Sequence, residues 1–330
     1  MVTRAPGRRR ASRREWAAAA AAGLAVDRLF GDPPDRLHPV AWFGGVMARA
    51  ESLWWSDDRA RGAFHALIGT GGAALTVWCL RRVGLRAAGP AGEAAVAVAV
   101  GATVCGARSL DIRAGEIGAA LAAGRVEEAR RLLPALVGRD PTGLDEKEIA
   151  RAVVESLAEN SVDAVVAPLL WAAVAGPGAA AAYRAVNTLD AMVGHRNSRY
   201  RRFGWASARL DDIANYVPAR LAAAVVAGLN PSRARAVRRA VVTQAPSHPS
   251  PNAGVIEAAF AAALGLRLGG TNCYGGVTER RADLGAGAAP VPGDIDRARL
   301  LARRLHWTVA AALATPAALH LAASPVGGGR

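Results

Sequence analysis

The residues best placed to do chemistry lie between Tyr183 and Arg220. Asn187 and Asp190 stand three apart in NTLD; Asp211 and Asn215 stand four apart in LDDIAN, with Asp212 beside them. At either spacing two side chains share one helix face. Upstream, Glu155, Glu159 and Asp163 follow at intervals of four and drift slowly around one face. Like charges so spaced destabilise a bare helix by about a few tenths of a kcal/mol per pair, so a cation has to offset them: Arg151 one turn earlier, a metal, or a substrate amine. Between the two polar clusters runs a basic loop, His195, Arg196, Arg199, Arg201 and Arg202, and Arg209 and Arg220 flank the second cluster. Carboxylates and carboxamides beside arginines are what a magnesium–phosphate site in or next to a membrane needs. A further group follows, where Pro246, Pro249 and Pro251 hold an extended segment presenting Ser247, His248, Ser250 and Asn252 ahead of an apolar helix with Glu257. Backbone N–H groups at such a helix start favour an anion such as phosphate. Each cluster alone also reads as helix capping around a solvated loop; their recurrence favours a site.

The elements that carry these groups are apolar. Trp16 to Val26 predicts a first helix, with the arginines of Arg8 to Arg14 on the cytoplasmic side. Its basic start has the outline of a signal peptide, but a motif follows Asp27-Arg28 instead of a cleavage site. DRLFGDPPDRLHPVAWFGG, with its prolines and glycines, predicts a structured loop holding Asp27, Asp32 and His38. Ala63 to Leu80 is uncharged and near the minimum for a membrane span, and Ala94 to Ala107, after Pro90 to Gly92, can form its return leg. Arg108 to Ile149 looks soluble, and Asp145 is placed to cap the helix bearing the three acids. That helix turns wholly apolar from Ala164 to Ala175; acids entering such a run lie at a membrane surface or face a cavity. Pro231 to Arg239 starts an arginine-rich helix. Gly269 to Gly276 and Thr278 to Asp294 read as turn and loop, Asp294 to Leu305 as a surface helix, and His306 to Ala323 as a last apolar run. The fold class expected is all-α, a polytopic membrane bundle of roughly four to six spanning helices with cytoplasmic loops and surface helices.

Composition narrows the partners. The 330 residues suffice for a large core in one or two domains, and 52% are hydrophobic while only 5% are aromatic. Of the 41 basic residues only Lys147 is a lysine, and it stands in DEKE, which excludes a P-loop. The net charge of +14 suits an anionic membrane surface or an acidic substrate. Nucleic acid is disfavoured, because the arginines come in short blocks between apolar runs instead of along one face. Cys79, Cys105 and Cys273 lie far apart without metal-binding spacing.

Five blocks, GDPPDRLHPVAWFG, ESLAENSVDAVVAPLLW, AAYRAVNTLDAMVGHR, FGWASARLDDIANYVPARL and HPSPNAGVIEAAFAAALGLRLGG, together resemble the CobD/CbiB family, the adenosylcobinamide-phosphate synthases of cobalamin biosynthesis. They occur in order over about residues 27 to 270. The resemblance implies a single multi-pass domain over residues 1–330 in the cell membrane, the basic tail 1–14 standing outside it. It implies an amide-forming ligase that joins aminopropanol, or its O-phosphate, to the f propionate of adenosylcobyric acid with ATP and Mg2+. The usual route to such an amide is an acyl phosphate, displaced by the amine. Corrinoid, aminopropanol and the lipid bilayer would then be the partners, with other enzymes of the pathway a further class.

On that reading Glu155, Glu159, Asp190, Asp211 and Asp212 hold Mg2+ or orient the amine. Arg196, Arg209 and Arg220 bind phosphate or corrinoid carboxylates, with Asn187, Asn215 and Ser250 as further binding groups. His248 and Asn252 sit on a phosphate, His248 acting as general base toward the ammonium. Two other classes remain open. An intramembrane prenyltransferase also uses Asp-bound Mg2+, although NTLD and LDDIAN do not reproduce DDxxD. A corrinoid-binding membrane scaffold needs no catalysis, but acids on apolar helices are expensive to keep without a task.

Overall fold

A computed structural model of the chain describes residues 12–195, 197–274 and 277–323. Arg196 and most of the basic tail lie outside the described residues, as do the side chains of Cys273 and His320. Helix α1 (Arg13–Phe30) opens on a capping box: the Ser12 hydroxyl accepts from the Glu15 N–H, and the Glu15 carboxylate accepts from the Ser12 N–H. α2 (Pro39–Trp54) occupies much of the stretch expected to be loop. The prolines do not forbid it, because Pro39 falls at the first helical position, where no N–H is needed, and the His38 ring accepts from the Val40 N–H.

α3 (Arg59–Val104) breaks at Ala88 and Gly89, and Gly89 takes φ +60° just before Pro90. The chain doubles back there: Arg81 pairs with Glu93, and Gly84 lies against the Gly92 backbone. The expected pair of apolar legs is thus a helical hairpin. α4 (Ala107–Ala122) and the short α5 (Val126–Leu132) follow. α6 (Glu146–Ser161) starts at the predicted Asp145 cap, with Glu148 completing a capping box. Beyond a wide turn at Val162–Val166 it continues as α7 (Ala167–Ala175). α8 (Pro177–Val193) and α9 (Trp205–Leu229) carry the NTLD and LDDIAN clusters and pack side by side. α10 (Ala234–Thr243) leads to α11 (Ala253–Leu264), all twelve residues of which are buried.

After α11 the expected loop is an antiparallel hairpin, β1 (Leu268–Tyr274) with β2 (Val277–Leu284), whose first strand is bulged between Leu268 and Gly270. Thr271, Tyr274, Val277 and Thr278 are strand-favouring types, and Gly269 and Gly270 supply the positive φ the bulge needs. The last two expected elements are one helix, α12 (Pro292–Ala323). Its first half is no surface helix: Ile295, Ala298, Leu301, Ala302 and Leu305 are buried, and α12 packs on α1, α4 and α6. His306 is buried there and its Nδ1 lies 2.9 Å from an Arg28 guanidinium nitrogen.

Helix therefore dominates, as expected, with one hairpin added. Among the described residues two stretches, Arg59–Ala122 and Glu146–Ala175, are long and apolar enough to cross a membrane by length and composition. The first of them includes both legs of the α3 hairpin. α1 and α9 hold arginines and acids within their length, and α11 is short. Large apolar side chains are nevertheless exposed along the first arm of α3 (Phe64, Leu67, Ile68, Leu75, Trp78) and along α2 (Trp42, Val46, Leu53).

α1 and α3 meet where Gly23 touches Gly101; a Cβ on Gly23 would come within 2.7 Å of the Gly101 backbone. Gly23→Ala should therefore force the helices apart and cost about 1–3 kcal/mol by overpacking. A lowered unfolding temperature of the detergent-solubilised protein is the expected readout, and an unchanged one would show that this contact does not set the packing.

Candidate active site

The site begins with a missing hydrogen-bond donor. Pro168, in the first turn of α7, has no N–H to give. The Ala167 N–H reaches five residues back to the Val162 carbonyl and makes a π turn. A donor from residue 168 would have served the Ala164 carbonyl in a regular helix, or that of Asp163 in a continued π turn. Both carbonyls meet a partner outside the helix: the Gly106 N–H donates to that of Ala164 at 3.1 Å, and the Tyr183 hydroxyl oxygen lies 3.3 Å from that of Asp163. The widened turn sets the Asp163 carboxylate against α8 and α9.

There one carboxamide joins two acids. Asn187 Nδ2 donates to Asp163 Oδ2 and to Asp211 Oδ1, each at 3.2 Å. Asn215 Nδ2 donates to Asp211 Oδ2 at 3.1 Å, and the Tyr183 hydroxyl donates to Asn215 Oδ1 at 2.8 Å. On the other side Arg184 donates to Asn187 Oδ1 at 3.4 Å. Both carboxamides thus have their orientation fixed by neighbours. Glu159, Asp163, Asp211 and Asn215 line a cavity of about 30 Å³, closed by Ile256 and by Ser250, Asn252 and Ala253 ahead of and at the start of α11. That volume holds an ion or a water or two.

Asn252 ties the wall to α9: its Nδ2 donates to the Asp212 carbonyl at 2.7 Å and its Oδ1 accepts from Arg220 at 3.1 Å. The Arg220 guanidinium lies over the Tyr216 ring. The N–H groups expected to hold an anion at the start of α11 are partly committed, since those of Asn252 and Ala253 donate to the Ser250 hydroxyl.

Burial sets the charge of the acids around this cavity. Burial, reinforced by Asp211, Asp212 and Glu159, pushes the Asp190 carboxyl up to about 7. Burial also raises Asp211, against the hydrogen bonds from Asn187 and Asn215. Among the described residues no three His, Cys, Asp or Glu side chains converge closely enough to hold a metal by themselves. The donors are nevertheless hard oxygens in a polar cavity. They fit magnesium taken through one or two carboxylates, with water and substrate phosphate completing its shell.

The sequence matches the family model described as CobD/Cbib protein over residues 20–302. The chain belongs to the CobD/CbiB family. It is 46% identical over 290 residues to the cobalamin biosynthesis protein CobD of Mycobacterium tuberculosis strain H37Rv, covering 85% of this chain and 89% of that one. It is 42% identical over 275 residues to the protein of that name from Geobacter metallireducens (81% and 85% covered). The Rhodobacter capsulatus protein of that name is 41% identical over 294 residues (87% and 92%). No solved structure matches the chain.

In this CobD/CbiB chain the predicted residues separate into two groups. Glu159, Asn187, Asp211, Asn215, Ser250 and Asn252 come together at the cavity, with Asp190, Asp212 and Arg220 around it. Glu155 is held elsewhere: it is buried, pairs with Arg139, and accepts from the Gly269 N–H at 2.8 Å, tying the hairpin to α6. Arg209 is largely exposed, 3.8 Å from Asp212. His248 is turned inward, so both ring nitrogens face protein groups: Nδ1 accepts from the Ser250 N–H at 3.1 Å, and Nε2 lies 3.8 Å from Glu257 and 3.5 Å from Arg281. Through Nδ1 it supports the Ser250–Asn252 turn, whereas a base facing substrate was the place expected for it. Glu257 is buried in α11, and burial together with Glu155 and Glu159 raises its carboxyl well above the usual range.

Asp163, Tyr183 and Arg184 complete the site without having been assigned to it. Their signals were present: Asp163 continues the row of acids, and Tyr183 and Arg184 stand one turn before Asn187. Arg281 gave none, because it reaches the site from a strand that reads as loop.

Pro168→Ala would return an N–H to the ladder and favour a regular helix, turning Asp163 away from Asn187. Turnover should fall by about tenfold or more, as misplacement near a reacting centre does, while the unfolding temperature stays level or rises. Full turnover with an unchanged unfolding temperature would show that the π turn is dispensable.

Proposed function

We propose that this chain forms the amide bond between aminopropanol, or its O-phosphate, and the f propionate of adenosylcobyric acid in cobalamin biosynthesis, giving adenosylcobinamide or its phosphate. The observation that carries the reading is the bridge of Asp163, Asn187 and Asp211 on the polar cavity. The names of the relatives, cobalamin biosynthesis protein CobD, support the pathway. The two apolar stretches and the exposed apolar faces of α2 and α3 support a place in the cell membrane.

Amide formation asks the protein for three things: a neutral amine, an activated carboxylate, and both held together. Asp190 takes the proton that the ammonium must lose, because a carboxyl near 7 is half ionised at neutral pH and a better base than an ordinary aspartate. Asn187 and Asn215 fix the acids, and Tyr183 fixes Asn215. Arg220, held by Asn252 and Tyr216, offers a guanidinium to phosphate or to a corrinoid carboxylate. Magnesium nucleotide, when bound, supplies the activation of the propionate, and Asp163 and Asp211 would hold its metal.

The test is rescue of a host unable to turn adenosylcobyric acid into a cobinamide. Growth on cobyric acid is expected; growth only on cobinamide, with the protein present in the membrane, would remove the amide-forming reading. With purified protein, turnover should rise with pH through about 7 as Asp190 ionises. Asp190→Asn should slow it by about 10²–10⁴-fold and abolish that limb. A limb that persists in the variant would give the proton to another group.

A further inference from the structure

The block GDPPDRLHPVAWFGG takes no part in the cavity described above, yet it builds a concavity of its own. A groove of about 510 Å³ runs between α2 and α8, lined by Val40, Ala41, Gly44 and Met192 and edged by Asp32, Asp35 and His38. Its size is that of a small-molecule site, apolar with a few convergent polar groups. Thr188 lines it from α8, and the adjacent residue, Asn187, bridges the acids of the other cavity. One helix therefore forms a wall of both.

The polar edge is organised and negative. The Ser109 hydroxyl donates to Asp32 Oδ2 at 2.5 Å, anchoring the loop to α4. His38 Nδ1 accepts from the Val40 N–H, so in the neutral ring the proton is on Nε2, which faces Asp32 Oδ1 at 3.4 Å. Asp32 thus has its partners within the fold. The Asp35 carboxylate makes no side-chain hydrogen bond or ion pair among the described residues, and no arginine pairs with either acid. Arg108, on the same side, spends its guanidinium on the carbonyls of Arg28 and Leu29. Charge complementarity selects a cation, and the apolar floor selects one with a short aliphatic body.

We propose that the groove between α2 and α8 binds a small primary ammonium compound, with Asp35 as its counter-ion, Asp32 as the second carboxylate and the Val40–Met192 floor against its carbon chain. The inference rests on the amide-forming reading for taking that compound to be the amine acceptor, which would be loaded beside the acid cavity, across α8. Charge and floor alone carry the ligand class.

Calorimetry on the purified protein in detergent tests it, with 1-amino-2-propanol as probe and 1,2-propanediol as the uncharged control. The amine should bind and the diol should bind about tenfold or more weakly, the loss of one charge-assisted contact. Asp35→Asn, an exposed change with no partner to strand, should weaken the amine by about tenfold. Asp211→Asn should leave amine binding as it was. Absence of amine binding, equal binding of the diol, a silent Asp35→Asn, or loss of binding in Asp211→Asn would each overturn the groove as the site. Amide synthesis by Asp35→Asn at an unchanged KM for the amine would likewise overturn it while leaving the proposed reaction standing.

Discussion

One carboxamide holds the centre of this protein together. Asn187 bonds acids from two different elements through a single nitrogen at 3.2 Å each, so their nearer oxygens are at most about 6.4 Å apart. Two full charges at that distance repel by about 3 kcal/mol at an effective dielectric of 20, and desolvating each adds several more. Three hydrogen bonds from Asn187 and Asn215, at about 1.5–3 kcal/mol each for charged acceptors, offset much of this. The balance leaves a site that favours a cation or a proton, in keeping with the raised carboxyls of Asp190 and Asp211. A polar network so costly holds only while every member is in place, so the surrounding helices have to be fixed in turn.

What fixes them is largely the backbone ladder and where it fails. Pro168 removes one donor at a turn already widened, and the carbonyls of Asp163 and Ala164 there meet Tyr183 and the Gly106 N–H, joining α6–α7 to α8 and to the turn between α3 and α4. Glu155 performs the corresponding task on the other side, where Arg139 and the Gly269 N–H converge on it. Breaking such a buried pair strands a charge at about 3–5 kcal/mol, so Glu155 is part of the frame of the site. His248 is similar: Glu257 and Arg281 face its far nitrogen while its near nitrogen holds the turn that carries Asn252.

Local chemistry was legible in the sequence and long-range chemistry was not. NTLD and LDDIAN announce themselves because their members lie within one turn of each other, and the Asp145 cap is a four-residue signal. Glu155 looked like Glu159 because spacing along one helix cannot tell which acid meets Arg139 and the hairpin. The stretch from Gly31 to Gly45 looked like loop because its prolines and glycines argue against regular structure, whereas Pro39 at a helix start costs nothing. The hairpin was missed because glycine-rich segments show little alternation. The apolar run of α3 was read correctly as two legs, since Pro90 and Gly89 mark the break. The number of spans is not legible, because runs rich in alanine and bordered by arginine sit near the threshold for crossing a membrane.

The assignment of the reaction centre stands or falls on Asp163, which touches Asn187 and lines the cavity. The most direct measurement is transfer of labelled aminopropanol to adenosylcobyric acid by purified protein, wild type beside Asp163→Asn, with unfolding temperatures recorded for both. A loss of about a hundredfold or more in turnover at an unchanged unfolding temperature is the predicted result. Full turnover by Asp163→Asn would contradict it and move the chemistry away from the α6–α8–α9 cluster.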